Sequence, residues 1–423
     1  MHFLLYFCIR FQKCNFILVL EMKIIERTSL LNQLKEAQGT PDIKIITGIR
    51  RSGKSKLLSV YMDWIRQTDP NSNIIFIDFR LLEHEHLQEY HALHDYIEQH
   101  YQQGVNNYIC IDEVQLCKQF ELAINSLHAT EKYDIYLTGS NAFMLSSDLA
   151  TLFTGRFIEI PVFPFSFSEY RTYYGEQELQ SQFDQYVLQG GLSGSYLYAS
   201  EQKRTQYITD VYQTILQRDL VEKYRLADSQ VLPRLVEYMM DNVSNIGSPN
   251  GIAENLKTQG VLSNNHTVSD YIEYLCRAFM LYRVRRYDVR GKKYLQSLHK
   301  FYLVDSGIRY AILGTRNMDY GRIYENIVAL ELLRRGYTIY VGKLYQKEID
   351  FVAMRGNEKI YIQVSDNISS PETFEREYSP LLQIKDMYPK FILARTRVPQ
   401  YDYQGIKIID LAEWLVQSPI SHN

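Results

Sequence analysis

A run of residues between positions 48 and 55 has the spacing of a loop that binds phosphate. The template G-x-x-x-x-G-K-[ST] is filled by Gly48, Ile49, Arg50, Arg51, Ser52, Gly53, Lys54 and Ser55. The glycines allow the backbone to curl around a phosphate, and a following helix points its positive N-terminal end at the same charge. Lys54 is expected to reach the β- and γ-phosphates, and Ser55 to coordinate Mg²⁺. The motif predicts a nucleoside triphosphate site.

Carboxylates and other polar residues follow the next predicted strands. Asp112 and Glu113 come after the apolar run 108–111, at the end of a strand where a parallel sheet presents its ligand-binding residues. We expect Asp112 to complete the Mg²⁺ site and Glu113 to align an attacking water. Ser140 and Asn141 follow a later strand and can contact the γ-phosphate, although a simple turn explains them equally well.

Arg156 stands just before another predicted strand, Phe157–Ile160. An arginine in this position can stabilise charge in the transition state of its own subunit or of a neighbouring one. An ordinary surface arginine fits the residues equally well, so both interpretations stay open.

The composition limits the remaining possibilities. The 423-residue chain is long enough for two or three domains. Its 46 basic and 49 acidic residues give a formal net charge of -3, so any DNA-binding surface must be local. Five cysteines lack the spacing of a disulfide framework or a zinc site, which favours the reducing cytoplasm.

The first 21 residues form a separate N-terminal extension. Their apolar run is interrupted by Arg10 and Lys13, has no small-residue cleavage site, and is too broken to span a bilayer comfortably. We expect a start codon assigned too early, with a membrane-associating segment as the alternative. No stable membrane span is expected elsewhere in the chain.

Short apolar runs alternate with helical stretches from Ile43 to about Pro161, which is typical of a parallel α/β sheet. Helical, winged-helix-like and again α/β patterns follow. The predicted regions are an extension (1–21), a phosphate-loop α/β domain (22–165), a helical lid or linker (166–230), a winged-helix-like domain (231–310) and a C-terminal α/β domain (311–423).

The winged-helix-like region contains a hairpin that we expect to be its wing. Basic residues interleave with tyrosines there: Arg283, Arg285, Arg286, Arg290, Lys292 and Lys293. Such a cluster suits contact with the phosphates of double-stranded DNA. A solvated edge and a protein-docking module are equally compatible with the pattern.

From about Met22 onward, the chain resembles a prokaryotic family of AAA-type P-loop ATPases with a conserved C-terminal region of unknown function. The resemblance is carried by the phosphate loop, Ile111–Gln115, Thr138–Ser140, Thr154–Arg156, the Pro-Phe-Ser-Phe segment, Gly190–Gly191, Arg218–Asp219 and Asp305–Gly307. It implies ATP as the nucleotide and is compatible with a homo-oligomer.

In that family the C-terminal end resembles the restriction-endonuclease fold, whose metal site uses an acidic strand residue and then Glu-x-Lys on the next strand. Glu325 and Asp350 could converge on a divalent cation. Gln363 and Ser365, however, stand where the family pattern has glutamate and lysine. A neutral amide and a hydroxyl replace a metal-binding carboxylate and a cation. We therefore expect an inactive nuclease whose fold is retained for structure or for holding DNA.

Three functions follow from these patterns. The chain is expected to be a Mg²⁺-dependent ATPase that couples ATP hydrolysis to a conformational change, possible partners being DNA, another protein or further copies of itself. A nucleotide-switched DNA-binding or protein-docking module with little hydrolysis is the first alternative. A metal-dependent nuclease is the second, and the degenerate motif argues against it.

Overall fold

The computed structural model describes residues 25–139, 151, 153, 155–226, 230–261, 264–315 and 318–417, apart from the side chains of 296 and 297. Ser140, Asn141 and the extension 1–21 lie outside these residues, so what the sequence predicts for them stays a prediction. The described residues form one sheet of five strands and one of nine.

The five-stranded sheet is parallel throughout and has the strand order β2-β3-β4-β1-β5. Its strands are β1 (Ile43–Thr47), β2 (Asn73–Asp78), β3 (Asn107–Asp112), β4 (Tyr133–Thr138) and β5 (Phe157–Pro161). The predicted parallel α/β fold is confirmed. Because all strands run in one direction, the residues that follow β1 and β3 share one edge of the sheet with Thr138 at the end of β4.

Helices cover both faces of this sheet, and the two-residue period of the strands divides the core between them. The helices are α1 (Thr28–Ala37), α2 (Lys54–Thr68), α3 (Tyr90–Gln99) and α4 (Phe120–Ala129). On β1, Ile46 packs with α1 and α2, whereas its neighbour Ile45 packs with α3 and α4. The sheet is therefore buried on both faces, as apolar parallel strands require.

A mainly helical region follows the first sheet. Its helices are α5 (Phe167–Tyr174), α6 (Leu179–Gln189), α7 (Glu201–Thr214), a π-helix (Ile215–Glu222), α8 (Val231–Asp241), α9 (Pro249–Thr258), α10 (Asn265–Arg277) and α11 (Ser306–Leu313). The helix α7 continues directly into the π-helix, so the chain is helical from Glu201 to Glu222. One core joins α7 to α11, and Ile49 of the phosphate loop belongs to it.

The second sheet is mixed, with the order β13-β14-β12-β11-β10-β9-β7-β8-β6. Its strands are β6 (Ile246–Gly247), β7 (Leu281–Asp288), β8 (Lys293–Leu303), β9 (Thr338–Leu344), β10 (Lys347–Arg355), β11 (Glu358–Ser365), β12 (Lys390–Ala394), β13 (Tyr401–Tyr403) and β14 (Ile406–Asp410). The associated helices are α12 (Tyr320–Arg334), α13 (Pro371–Leu382) and α14 (Leu411–Val416).

The basic hairpin corrects one expectation from the sequence. Its strands β7 and β8 are present, but β7 also pairs in parallel with β9, and β8 pairs with β6. The hairpin is therefore an integral part of the nine-stranded sheet and not a free wing. The predicted boundary at 310/311 also falls inside α11. A separate winged-helix-like domain, like the other domain boundaries, stays a prediction.

Candidate functional site

The phosphate loop connects β1 to α2 at the carboxyl edge of the first sheet. Gly53 has a positive φ of 99°, and α2 begins at the next residue, Lys54. At Gly48 a side chain is excluded, because a Cβ atom would lie 2.2 Å from the carbonyl oxygen of Val162. Both glycines are thus required by the backbone, and the predicted strand, loop and helix are all present.

Lys54 is buried and its ammonium group is held by the loop itself. Its Nζ donates to the carbonyl oxygens of Gly48 at 2.9 Å and Ile49 at 3.0 Å. Burial lowers the pKa of Lys54 to about 8, while the carboxylates of Glu113 and Asp112 oppose the decrease. The ammonium form therefore still dominates at neutral pH, which is the form that attracts a phosphate.

The residues present fit a triphosphate with Mg²⁺. The hydroxyl oxygen of Ser52 is buried in the loop and has no hydrogen-bond partner among the described residues, which leaves a polar group available to a ligand. Ser55 is half-buried in the first turn of α2. Its hydroxyl and the carboxylate of Asp112 are the hard oxygen ligands that Mg²⁺ prefers.

Asp112 and Glu113 lie at the end of β3, and Thr138 at the end of β4 joins them. The Thr138 hydroxyl donates to Oδ1 of Asp112 and accepts a 3.0 Å hydrogen bond from the backbone N–H of Glu113. Glu113 has left-handed backbone angles and accepts a hydrogen bond from the side chain of Gln115. Strand pairing thus fixes both carboxylates at the edge that carries the phosphate loop.

Arg80 is a residue of this site that the sequence analysis missed. Its Nη2 lies 2.5 Å from Oδ2 of Asp112 and 2.7 Å from Oδ2 of Asp78. Hydrogen bonding to Asp78 raises the pKa of Arg80 above its ordinary value, and the charge of Asp112 adds to this effect. The only available signal was a charged pair, Asp78 and Arg80, after a predicted strand.

Arg27 forms a hydrogen bond to the phosphate loop and is a second residue that the sequence analysis missed. Its Nη1 donates to the carbonyl oxygens of Phe163 at 2.9 Å and Ser52 at 3.2 Å, while the same guanidinium forms a bidentate ion pair with Glu169. Glu169 is itself fixed by a capping box with Ser166 at the start of α5. No local pattern around Arg27 indicates these partners.

The side chains of Ile49 and Arg50 leave the loop in the direction of the helical region. Ile49 is fully buried in the core formed by α7 to α11. Arg50 forms a bidentate ion pair with Asp219 of the π-helix, at 2.8 and 3.1 Å. The nucleotide loop and the helical region therefore share an apolar contact and an ionic one.

Two family matches cover most of the chain. The family described as AAA domain matches residues 40–171, and one described as a domain of unknown function matches residues 180–319. An uncharacterized protein of Haemophilus influenzae is 34% identical over 400 residues, which are 93% of this chain and 99% of the relative. The chain belongs to this family of AAA-type P-loop ATPases. A Methanocaldococcus jannaschii protein, also uncharacterized, is 24% identical over 417 residues, 94% of this chain and 91% of that protein.

Solved structures give a weaker likeness. A Walker-type ATPase of Pyrococcus abyssi has 16% identity and a TM-score of 0.47, covering 68% of this chain and 95% of that one. DnaA of Aquifex aeolicus bound to AMPPCP has 14% identity and a TM-score of 0.27, covering 59% and 86%. The fold of this AAA-type ATPase is shown by its own parallel sheet, with the order β2-β3-β4-β1-β5. Among its described residues, no helix has the length and apolar character needed to cross a membrane.

Arg156 lies at the opposite edge of the AAA domain from the nucleotide loop. Its carbonyl oxygen accepts a hydrogen bond from the N–H of Ile43 at the start of β1, whereas the loop follows Thr47 at the end of that strand. At about 3.3 Å per residue, β1 separates the two by roughly 15 Å. This placement argues against a role for Arg156 in the site of its own subunit, and both interpretations stay predictions.

The basic residues of the hairpin are mostly exposed: Arg283, Arg285, Arg290, Lys292 and Lys293 are exposed and Arg286 is half-buried. Arg283 is partly neutralised by a 2.9 Å ion pair with Glu273. The other exposed basic residues leave positive charge on this surface that an anion can contact. That the anion is DNA stays a prediction.

The acidic residues of the C-terminal region converge as predicted, but on a lysine. Nζ of Lys300 lies 2.8 Å from Glu325, 2.6 Å from Glu348 and 3.6 Å from Asp350. Burial lowers the pKa of Lys300, but these carboxylates outweigh it and raise the pKa above its ordinary value. The ammonium of Lys300 is the cation of this cluster. The sequence left open a divalent cation between Glu325 and Asp350, whereas in the structure the ammonium of Lys300, from strand β8, lies between them.

The two substituted positions of the nuclease pattern lie beside this cluster. Gln363 accepts a 3.3 Å hydrogen bond from the backbone N–H of Asp350, and Ser365 donates to the carbonyl oxygen of Asn367. Both side chains are engaged with the backbone. In the described part of the chain, no group of three or more His, Cys, Asp and Glu residues is arranged to hold a metal ion.

Proposed function

We propose that this protein is a Mg²⁺-dependent ATPase that transmits its nucleotide state to the helical region and the second sheet. The observation that carries the proposal is the phosphate loop, whose lysine interacts electrostatically with Asp112 and Glu113 while Ile49 belongs to the neighbouring core. Because that core is closely packed, a shift of the loop must be accommodated by the helices around Ile49.

Each residue of the site has a proposed role. Lys54 and the loop N–H groups bind the phosphates, while Ser55 and Asp112 hold Mg²⁺, which neutralises phosphate charge when bound. Glu113 orients the attacking water and accepts its proton. The hydrogen bonds that Gln115 and Thr138 make with Glu113 keep this residue in position.

Steady-state ATP hydrolysis by the purified protein tests the proposal. Lys54→Ala should abolish nucleotide binding, whereas Glu113→Gln should bind ATP and lose turnover. Both assays are repeated with duplex DNA. Stimulation by DNA that is lost in Glu113→Gln supports a DNA-coupled ATPase. Turnover that DNA does not change favours a protein partner. Turnover equal in the wild type and in Lys54→Ala contradicts the proposal.

A nucleotide-switched DNA-binding module is the second candidate, and the exposed basic hairpin favours it. Neutralising Arg285, Arg290 and Lys292 with glutamine should abolish salt-sensitive retention of duplex DNA. A matched control neutralises Lys118, Lys132 and Lys257, which are equally exposed elsewhere. Loss of DNA retention in both triple variants, or in neither, counts against a specific role for the hairpin.

A further inference from the structure

Asp219 is a buried carboxylate whose partner is a residue of the phosphate loop. Only 4% of its surface is exposed, and its two oxygens accept hydrogen bonds from Nη2 and Nε of Arg50 at 2.8 and 3.1 Å. A bidentate pair of this kind fixes direction as well as distance. The hydrogen bond to Asp219 is also the main reason that the pKa of Arg50 is raised.

The backbone around Asp219 is unusual. The chain changes from α-helix to π-helix at Ile215 and remains π-helical to Glu222. Wide turns of this kind are rare and frequently occur at functional sites. Here Asp219 shares the buried side of the π-helix with Ile215, Leu216 and Leu220, which belong to the same core as Ile49.

Neighbouring residues of the loop face the same region. Ile49 is buried in that core, and the charge of Arg51 lowers the pKa of the half-buried Tyr207 on α7, against the larger effect of burial. The charge of Arg50 lowers the pKa of Lys54, whereas the charge of Asp219 raises it. The segment 201–222, which comprises α7 and the π-helix, is thus in contact with the loop that surrounds the phosphates.

We propose that Asp219 is a positioning residue for the triphosphate: through Arg50 it fixes the phosphate loop, and it makes segment 201–222 respond to the nucleotide. This inference rests on the proposed nucleotide-binding function. Coupling between sites is reciprocal, so a pair that favours nucleotide binding must be strengthened when the nucleotide binds. Asp219 is distinct from the catalytic residues, because it acts on the triphosphate only through Arg50 and the loop.

A double-mutant cycle tests the positioning role. The dissociation constant of AMPPNP with Mg²⁺ is measured for the wild type, Asp219→Asn, Arg50→Gln and the double variant. Each single variant should bind about tenfold more weakly, and the double variant should bind no more weakly than either one. Asp210→Asn, an exposed change on the same segment, should leave the dissociation constant unchanged.

Other results of the cycle overturn the inference. If Asp219→Asn lowers the melting temperature but binds AMPPNP as the wild type does, the residue is only structural. If the losses of the two variants multiply, Arg50 contacts the phosphates independently of Asp219. If the wild type itself fails to bind AMPPNP, the proposed nucleotide function fails first, and this result is distinguishable from the other two.

Hydrogen exchange supplies a readout that does not depend on turnover. AMPPNP should slow amide exchange in segment 201–222 of the wild type, and this protection should be absent from Asp219→Asn at saturating AMPPNP. Should Asp219→Asn not fold, Arg50→Gln replaces it, because Arg50 is partly exposed and belongs to the loop rather than to the helical core. Protection that persists at saturating nucleotide without the ion pair overturns the inference.

Discussion

Arg80 and Asp112 are in direct contact: Nη2 of the arginine lies 2.5 Å from Oδ2 of the carboxylate. The other oxygen of Asp112 accepts a hydrogen bond from Thr138. A guanidinium group thus interacts with the carboxylate that is proposed to hold Mg²⁺. Asp78 is the alternative partner of Arg80, so the arginine can release Asp112 and remain paired with Asp78.

The first prediction follows from this competition. Arg80→Ala should reduce the Mg²⁺ concentration needed for half-maximal nucleotide binding several-fold, because the carboxylate loses a competing cation. The measurement is a Mg²⁺ titration of AMPPNP binding. Arg66→Ala is the control, since Arg66 is an exposed arginine paired with Asp63 on α2. An increased Mg²⁺ requirement would instead show that Arg80 assists binding.

The sequence predicts the local parts of this site and not the long-range ones. The strand before Gly48, the helix that begins at Lys54 and the position of Asp112 at a strand end all follow from patterns within a few residues. Arg50 and Asp219 are 169 residues apart, and their contact depends on how two regions pack. The place of Arg156, in contrast, follows from the local pattern, because a residue that precedes a strand of a parallel sheet lies at the edge opposite the residues that follow the strands.

The second sheet shows the same limit. Glu325 and Asp350 could be recognised as convergent acidic residues from a family pattern. Lys300 belongs to the hairpin strand β8, which the sequence assigned to a different domain. Only the pairing of β7 with β9 brings that strand into the same sheet as β10. The sequence did not reveal the cation of the cluster, because it gave no sign of this long-range strand pairing.

A second prediction concerns this cation. Lys300→Ala leaves the carboxylates of Glu325, Glu348 and Asp350 close together without a counter-charge, which should cost about 3 kcal/mol or more of stability. Thermal melting with and without MnCl₂ measures the effect. Mn²⁺ should recover part of the loss in Lys300→Ala and leave the wild type unchanged. Lys293→Ala, at an exposed site on the same strand, is the control.

Two results contradict this account of the acidic cluster. One is a melting temperature for Lys300→Ala that equals that of the control. The other is equal stabilisation of the wild type by Mn²⁺, which would mean that the metal binds beside Lys300. Because the ammonium of Lys300 lies among these carboxylates, the wild type should not cut DNA in the presence of Mg²⁺ or Mn²⁺.

A third prediction concerns pH. Asp305 is buried where α11 begins, and its carboxylate accepts hydrogen bonds from the backbone N–H groups of Gly191 at 2.5 Å and Gly307 at 2.8 Å. Burial raises the pKa of Asp305 to about 6, against the effect of these hydrogen bonds. In the unfolded chain the pKa is about 4. The contribution of Asp305 to the free energy of unfolding is therefore complete below pH ~4, and it is lost as the pH rises through ~6.

Stability should accordingly decrease by on the order of 2–3 kcal/mol between these pH values because of Asp305. Urea unfolding at several pH values measures the slope. Asp305→Asn removes one hydrogen-bond acceptor and lowers stability at every pH, but its slope over this interval should be flatter than that of the wild type. Asp63→Asn, at an exposed site, should keep the wild-type slope. A parallel slope in Asp305→Asn would assign the pH dependence to other groups.

The last prediction concerns Arg156, which is exposed at the edge of the sheet away from its own nucleotide loop. If it stabilises the transition state of a neighbouring subunit, Arg156→Ala should reduce turnover by roughly 10³-fold or more without weakening AMPPNP binding. Mixing inactive Arg156→Ala with inactive Glu113→Gln should then restore part of the activity. A Glu113→Gln subunit supplies an intact arginine to a partner whose Glu113 is intact.

Light scattering of the wild type with AMPPNP establishes whether subunits associate under the conditions of this mixing experiment. Arg66→Ala serves again as the exposed arginine control and should retain full turnover. Activity of Arg156→Ala close to that of the wild type would make Arg156 a surface residue. A mixture that stays inactive, although the subunits associate and exchange, would show that Arg156 does not reach a neighbouring site, because one intact arginine and one intact glutamate would then be present without producing turnover.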